Sequence, residues 1–266
     1  LAASNYPKGR LMVVLAAEER GGEEAALVAR RIEKEFSDKF FKFLVTTHPS
    51  NLPGEIPGKV SNESWAAERA REKIIDPLRL KHENIITSVF DADTQVFPDY
   101  FGCLTYYYLI SSCPGQTSYQ PIPLYLNNFW EAKFFSRLVA SCNVFWEMMQ
   151  QQRPEKLVTF SSHSMSFKAL VEMNFWQVNV VSEDAGIFWK SFLFYDGNYK
   201  IIPLHYPISM DCVAGKNLKE TIISQYKQQR RWAFGSEGIP YLLFGFLKNK
   251  KIPLPKKFCY AFLMIE

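Results

Sequence analysis

Leu11-Met12-Val13-Val14-Leu15-Ala16-Ala17 carries no polar side chain and lies between Arg10 and Glu18. An apolar run of this kind, closed off by charge at both ends, predicts a strand buried on both faces, as in parallel sheets. Gly21-Gly22 follows and opens a helical stretch over 23–36. A second strand is expected at 40–46. Strand, helix, strand at the start of a chain points to an α/β sheet. A Pro/Gly-rich loop at 49–58 leads into a polar helix at 61–75, then an apolar strand at 85–90. Further on, helices are expected at 129–151, 165–173, 183–193 and 217–232, with short strands at 157–160, 199–202 and 206–210.

The strand at 85–90 ends in Asp91-Ala92-Asp93. Residues i and i+2 of an extended chain point the same way, so both carboxylates can reach one hard cation such as Mg²⁺ or Mn²⁺. Ligands of open α/β sheets gather at the carboxyl ends of strands, which is where these Asp lie. Read alone, the pair is equally an Asp-rich turn. Ser182-Glu183-Asp184 follows another apolar stretch. It reads as a helix N-terminus capped by Ser182, or as the site of a general base, Asp184. Gln228, Arg231 and Trp232 fall at i, i+3 and i+4 and share one helix face. That face offers an amide, a guanidinium for phosphate oxygens and an indole for a sugar ring, or else a helix end whose cations suit its dipole.

D-x-D, E-D and Q-x-x-R-W in this order resembles the family 2 glycosyltransferases of the cellulose synthase, hyaluronan synthase and chitin synthase type, at comparable separations. Gly58-Lys59, Tyr119-Gln120-Pro121 and Thr159-Phe160-Ser161-Ser162-His163-Ser164 resemble lesser segments of that family. The resemblance implies a glycosyltransferase A fold: Rossmann-like, with a mixed, mostly parallel sheet flanked by helices, and C-terminal interfacial helices. It implies a metal-dependent, hexosyltransferase-like enzyme of polysaccharide synthesis that inverts the sugar it moves. The donor is a UDP- or GDP-sugar and the acceptor a glycan or lipid-linked hydroxyl. Asp91 and Asp93 hold Mg²⁺ or Mn²⁺, and Asp91, Lys59 and Arg231 bind the donor. Asp184 is the base, while Glu183, Gln228, Arg231 and Trp232 meet acceptor and diphosphate. The family's Asp-rich turn after the second strand is absent here, where the chain reads Thr46-Thr47-His48-Pro49. His48 is either a substitute contact for the nucleotide base or a loop residue.

Two other classes compete. A catalytically silent homologue, acting as a membrane scaffold or sugar-binding protein, would explain the missing Asp turn. A nucleotidyltransferase would not need the Q-x-x-R-W face. A hydrolase built on the serine-rich loop with His163 lacks the G-x-S-x-G elbow.

The chain has 266 residues with 47% hydrophobic and 22% charged, enough for a sizeable folded core. A formal charge of +4 is too small to point to nucleic acid. Lys248, Lys250, Lys251, Lys256 and Lys257 crowd together before an apolar run at 258–265. The cluster is either a solvated loop or a face for anionic lipid, and the run predicts the beginning of a membrane span. The expected organisation is a catalytic domain over 1–234 and a basic, amphipathic membrane-interface segment over 235–266 that leads into a truncated transmembrane helix. The protein is thus expected to be membrane-bound with its catalytic domain cytosolic. Five Cys without a C-x-x-C pair predict buried, reduced thiols and no zinc site.

Overall fold

The computed structural model describes residues 1–265. Strand β1 (Met12–Glu18), helix α1 (Gly22–Phe36) and strand β2 (Lys42–His48) form the expected opening, with β1 and β2 parallel over seven residue pairs from Met12–Lys42 to Glu18–His48. β1 is half-buried along its whole length where its composition predicts full burial. It pairs with β2 in a two-stranded sheet, and α1 and α2 (Lys59–Ala70) give it partial cover.

The second sheet has five strands in the order β3 (Ile86–Ser88), β6 (Ser164–Ser166), β5 (Thr117–Leu124), β7 (Lys200–Ser209), β4 (Gln95–Val96). Its long ladder, β5 on β7, is parallel, and the short pairings β3–β6, β5–β6 and β4–β7 are antiparallel. α3 (Tyr100–Ile110) packs on β7, with Tyr100, Leu104, Tyr119, Leu204 and Ile208 buried between them. α4 (Phe134–Gln151) lies against β5. α5 (Phe167–Glu172) and α6 (Glu183–Phe194) enter the larger core, where Leu170, Phe188, Trp189 and Phe192 are buried. α7 (Leu218–Ala233) is exposed on most of its surface, with Thr221 its buried residue. Helices α8 (Gly238–Lys248) and α9 (Leu254–Ile265) close the described chain.

Several expectations change. Residues 157–160 form no strand, since the backbone N–H of Phe160 is taken by the Gln120 side chain at 2.9 Å. Ser164–Ser166 pairs with two strands before α5 starts, so the helix expected from 165 begins later. The two strands expected at 199–202 and 206–210 are one strand, β7, whose register against β5 shifts between Gln120 and Ile122. Pro121 sits at that shift, where the ladder has no use for its missing N–H. The thiols are all free, but only Cys212 is buried, and Cys113, Cys142 and Cys259 are exposed.

The structure also corrects the expectation of a membrane protein. Among the described residues no helix is long and apolar enough to cross a membrane. α9, where a span was expected to begin, has 12 residues, whereas about 20 apolar residues are needed to cross. Three of the clustered lysines bind the protein itself. Lys251 pairs with Asp196 at 3.0 Å, Lys256 donates to the Gly197 carbonyl at 2.5 Å, and Lys257 donates to the Phe246 carbonyl at 2.5 Å. Gly197 ends α6 at φ 82°, a conformation that favours glycine, and its N–H donates to the Phe192 carbonyl at 2.7 Å.

The two faces of α8 give a direct check on this packing. Phe246 is 6% exposed and meets the Phe192 ring, whereas Phe244 is 63% exposed. Phe246→Ala is expected to cost about 3–5 kcal/mol by urea unfolding. Phe244→Ala should change stability by less than about 0.5 kcal/mol, and equal losses would mean that α8 does not pack as described.

Candidate active site

Lys59 is the first residue of α2, and four carboxylates surround its ammonium. Asp91 Oδ1 lies at 2.9 Å, Asp184 Oδ1 at 3.1 Å, and Glu63 and Glu183 each present an oxygen at 3.5 Å. Each arrives from a different constraint. Glu63 is one turn along α2, at the i+4 position. Asp91 lies between β3 and β4, where Thr94 N–H bonds back to the Asp91 carbonyl at 2.9 Å. Glu183 and Asp184 begin α6, so the helix dipole favours their charge. The start of α2 is itself tied to the end of β1, where Asn62 Nδ2 donates to the Ala16 carbonyl at 3.1 Å.

Burial works against the charge on Lys59, but Asp184, Glu63, Asp91 and Glu183 together outweigh it and hold the ammonium well above its ordinary range. Glu63 is pushed well up, by burial first and then by the neighbouring carboxylates, against the pull of Lys59. Glu183 is also raised, by burial and then by Asp184. Asp91 goes the other way: burial opposes its charge, yet Lys59 and the Ser161 hydroxyl hold the carboxyl below its usual range. Ser161 Oγ donates to Asp91 Oδ2 at 2.5 Å.

Asp93 stands beside this cluster. Its Oδ2 accepts the Asp211 N–H at 3.1 Å, while Asn127 Nδ2 donates both to the Asp93 carbonyl at 2.8 Å and to Asp211 Oδ1 at 2.9 Å. Burial, Asp91 and Asp211 raise its carboxyl against the bond from the Asp211 backbone. Among the described residues no group of three or more His, Cys, Asp or Glu is placed to hold a metal ion. A carboxylate crowded by two others, with hard oxygen donors, still fits Mg²⁺ or Mn²⁺ when substrate phosphates finish the coordination.

Of the α7 face, Arg231 is the residue whose charge reaches the cluster, lowering both Asp91 and Glu183. Gln228 accepts a bond from Gln225 on its own helix at 3.1 Å, and Trp232 is 40% exposed. Ser182 is at the N-cap of α6 but makes no capping bond with its hydroxyl. Glu237, just after α7, instead ties down the residues that lead into the helix: its Oε1 accepts the N–H groups of Val181 at 2.9 Å and Ser182 at 2.7 Å. His48 ends β2 and pairs with Glu55 at 2.8 Å, edge-on to the Trp65 ring.

Sequence reasoning did not find Glu63, Asn127, Asp211 or Glu237, and it met Ser161 only within the segment that resembles a family loop. Glu63 had a signal, its i+4 spacing from Lys59. The others reach the site through tertiary contacts that no local pattern encodes.

Removing the central ammonium should expose the cost of the cluster. Lys59→Met is expected to lower stability by about 3 kcal/mol at neutral pH, since carboxylates are left buried and unpaired. Without the ammonium, Glu63 and Glu183 are raised further and Asp91 is no longer held down by Lys59, so the folded chain binds more protons than the unfolded one as pH falls. The deficit against wild type should therefore narrow towards pH 5 in urea melts. A deficit independent of pH would show that Lys59 does not hold these charges.

No protein-family model matches the chain, and no curated protein does. Among solved structures, it is similar to the mannosyltransferase PcManGT from Pyrobaculum calidifontis in complex with GDP-Man and Mn²⁺. The TM-score is 0.56 at 13% sequence identity, and the match covers 98% of this chain and 63% of that one. The chain thus spans less than two thirds of that protein's length. At such identity the likeness shows the fold alone: the chain shares the Rossmann-like α/β architecture of that protein, with a mixed sheet flanked by helices.

Proposed function

We propose that the protein is a glycosyltransferase that moves a sugar from a nucleoside-diphosphate sugar to an acceptor hydroxyl, with inversion. One observation carries this reading. Two motifs far apart in the sequence, Asp91 of the D-x-D turn and Glu183 with Asp184, converge on the half-buried ammonium of Lys59 just past the carboxyl end of β3. Structural charge clusters have no need of this place in the sheet, whereas donor sites of such folds do.

In this mechanism Asp184 takes the proton of the acceptor hydroxyl as it attacks the anomeric carbon. The attack forms the new C–O bond and breaks the bond to the diphosphate, which leaves with its electron pair. Lys59 and Arg231 face the negative charge that develops on that diphosphate. Gln228 and Trp232, one turn apart on α7, are the acceptor-side groups of the same helix. Asp93, with Asp91 and Asp211 beside it, would hold Mg²⁺ or Mn²⁺. When bound, the ion supplies charge to stabilise the leaving diphosphate. Asn127 keeps Asp93 and Asp211 in place for it. The mannosyltransferase of like fold is complexed with GDP-Man and Mn²⁺, so a GDP-sugar is the first donor to try, with UDP-sugars second.

A ligand that binds only the folded state raises the melting temperature. GDP-mannose with Mn²⁺ is expected to do so where neither does alone, and Asp93→Ala should remove the metal requirement together with most of the shift. No shift with GDP- or UDP-sugars, with or without metal, would overturn the donor site. Asp184→Asn should lower transfer by about 10²–10⁴-fold and leave the donor shift in place. Near-normal turnover in that variant would end its assignment as the base.

A further inference from the structure

His163 is fully buried, with 0% exposure, and neither ring nitrogen has a partner at good hydrogen-bond geometry, although the nearby Phe160 backbone favours a ring N–H. A buried polar group left without a partner costs about 1–3 kcal/mol and calls for a reason. Its Nδ1 lies 3.7 Å from Asp184 Oδ1. That gap exceeds a hydrogen bond by about 0.8 Å, a distance that one side-chain torsion can close.

Both sides of the gap are fixed by bonds that no packing argument requires. The His163 carbonyl accepts the Val89 N–H at 3.0 Å, which ties the loop to the end of β3. Thr159 Oγ1 donates to the Asp184 carbonyl at 2.5 Å, and Ser161 Oγ donates to Asp91 at 2.5 Å. Ser162 holds a φ of 65° between them and bonds Thr94 Oγ1 at 3.0 Å. The loop thus grips the backbone of the proposed base and the side chain of the D-x-D motif, and it delivers the imidazole beside the carboxylate.

We propose that His163 is a positioning residue for Asp184, donating its Nδ1–H to the Asp184 carboxylate once Lys59 turns towards a donor diphosphate. The inference rests on the reading of Asp184 as the base. The charged groups around Asp184 explain why a neutral donor is needed. Lys59 and Glu63 face it from α2, Glu183 from α6 and Asp91 from the β3–β4 turn, while Arg231 of α7 acts on Glu183 and Asp91. A carboxylate paired with an ammonium is aimed at that ammonium. A diphosphate draws the ammonium away and frees the carboxylate to rotate. Burial keeps the imidazole neutral, with a pKa lowered to about 4. Its single N–H can then orient the base without cancelling its charge.

The test begins without substrate. The chain has four His, so ¹⁵N-histidine labelling with the His163→Phe variant assigns this ring by NMR. The Nδ1–H form is expected in the wild type, and its Nδ1 signal should shift on adding GDP with Mg²⁺ and fail to do so in Asp184→Ala, which has no acceptor. An Nε2–H form, or the same response in Asp184→Ala, overturns the proposal even if no variant folds well enough for kinetics. GDP release from GDP-mannose then separates the roles. His163→Phe keeps a ring and removes the donor, and kcat is expected to fall about 10-fold or more at unchanged donor KM. His163→Asn places an N–H near Nδ1 and should recover most of that loss. Full turnover in His163→Phe with Asp184→Asn inactive sinks the His163 inference alone. Near-normal turnover in Asp184→Asn sinks the base assignment, and the proposed purpose of His163 with it.

Discussion

The ammonium of Lys59 is the constraint on which the site depends. Four carboxylates come within 3.5 Å of it, from three separate parts of the chain. Without a cation at the centre, their mutual repulsion and desolvation would push β3, α2 and α6 apart. With it, the first turn of α2 becomes the point where the small β1–β2 layer, the D-x-D turn and the E-D helix meet. The same arrangement is poised chemically. A site that holds a net excess of acid around one ammonium is open to further positive charge, and to a diphosphate that competes for the ammonium already there.

A polar scaffold beneath the cluster turns this electrostatic demand into geometry. Gln120, fully buried on β5, accepts the Phe160 N–H at 2.9 Å and donates to the Ser161 carbonyl at 3.3 Å. Its own carbonyl accepts Gln151 Nε2 of α4 at 3.1 Å. Tyr100 OH and Ser88 Oγ both meet Ser164 Oγ, at 3.1 and 2.7 Å. The Gln120 bonds hold residues 159–163 off any regular strand, while the Ser164 bonds anchor the start of β6, so the loop's hydroxyls and imidazole are left to face the carboxylates. A buried network of this kind is costly if half made and rigid when complete, which suits groups that must be held to within a fraction of an ångström.

The sheet and the site were legible in the sequence to different degrees. Strand β1, helix α1 and helix α7 follow periodic patterns and stand close to where they were expected. Helix α3 was missed because Tyr100-Phe101-Gly102-Cys103-Leu104-Thr105-Tyr106-Tyr107-Tyr108-Leu109-Ile110 is apolar all round and shows no helical stripe. Strand β5 was missed because Pro121 and Pro123 lower the strand propensity of the segment; the register shift against β7 makes room for Pro121, and Pro123 pairs in register with Ile208. The membrane span was expected from apolar composition at 258–265. In the fold, Tyr260, Ala261 and Met264 instead spend that character on the core around Trp189 and Phe192.

What the sequence determined by itself is the chemistry on offer: two Asp at a strand end, an acidic pair at a helix start, and an Arg one turn from a helix end. Local spacing suffices for these because each depends on a single element. Only the tertiary structure decided which of them meet. It chose Lys59 as their common partner, set Glu63 among them, and left Gln228 and Trp232 aside from the cluster. It also left the Ser182 hydroxyl without its expected capping bond, tied Val181 and Ser182 to Glu237, and buried His163 beside Asp184. The reason is physical: electrostatic and hydrogen-bond partners are chosen by distance through space, and distance between elements is fixed by how the two sheets and their helices pack.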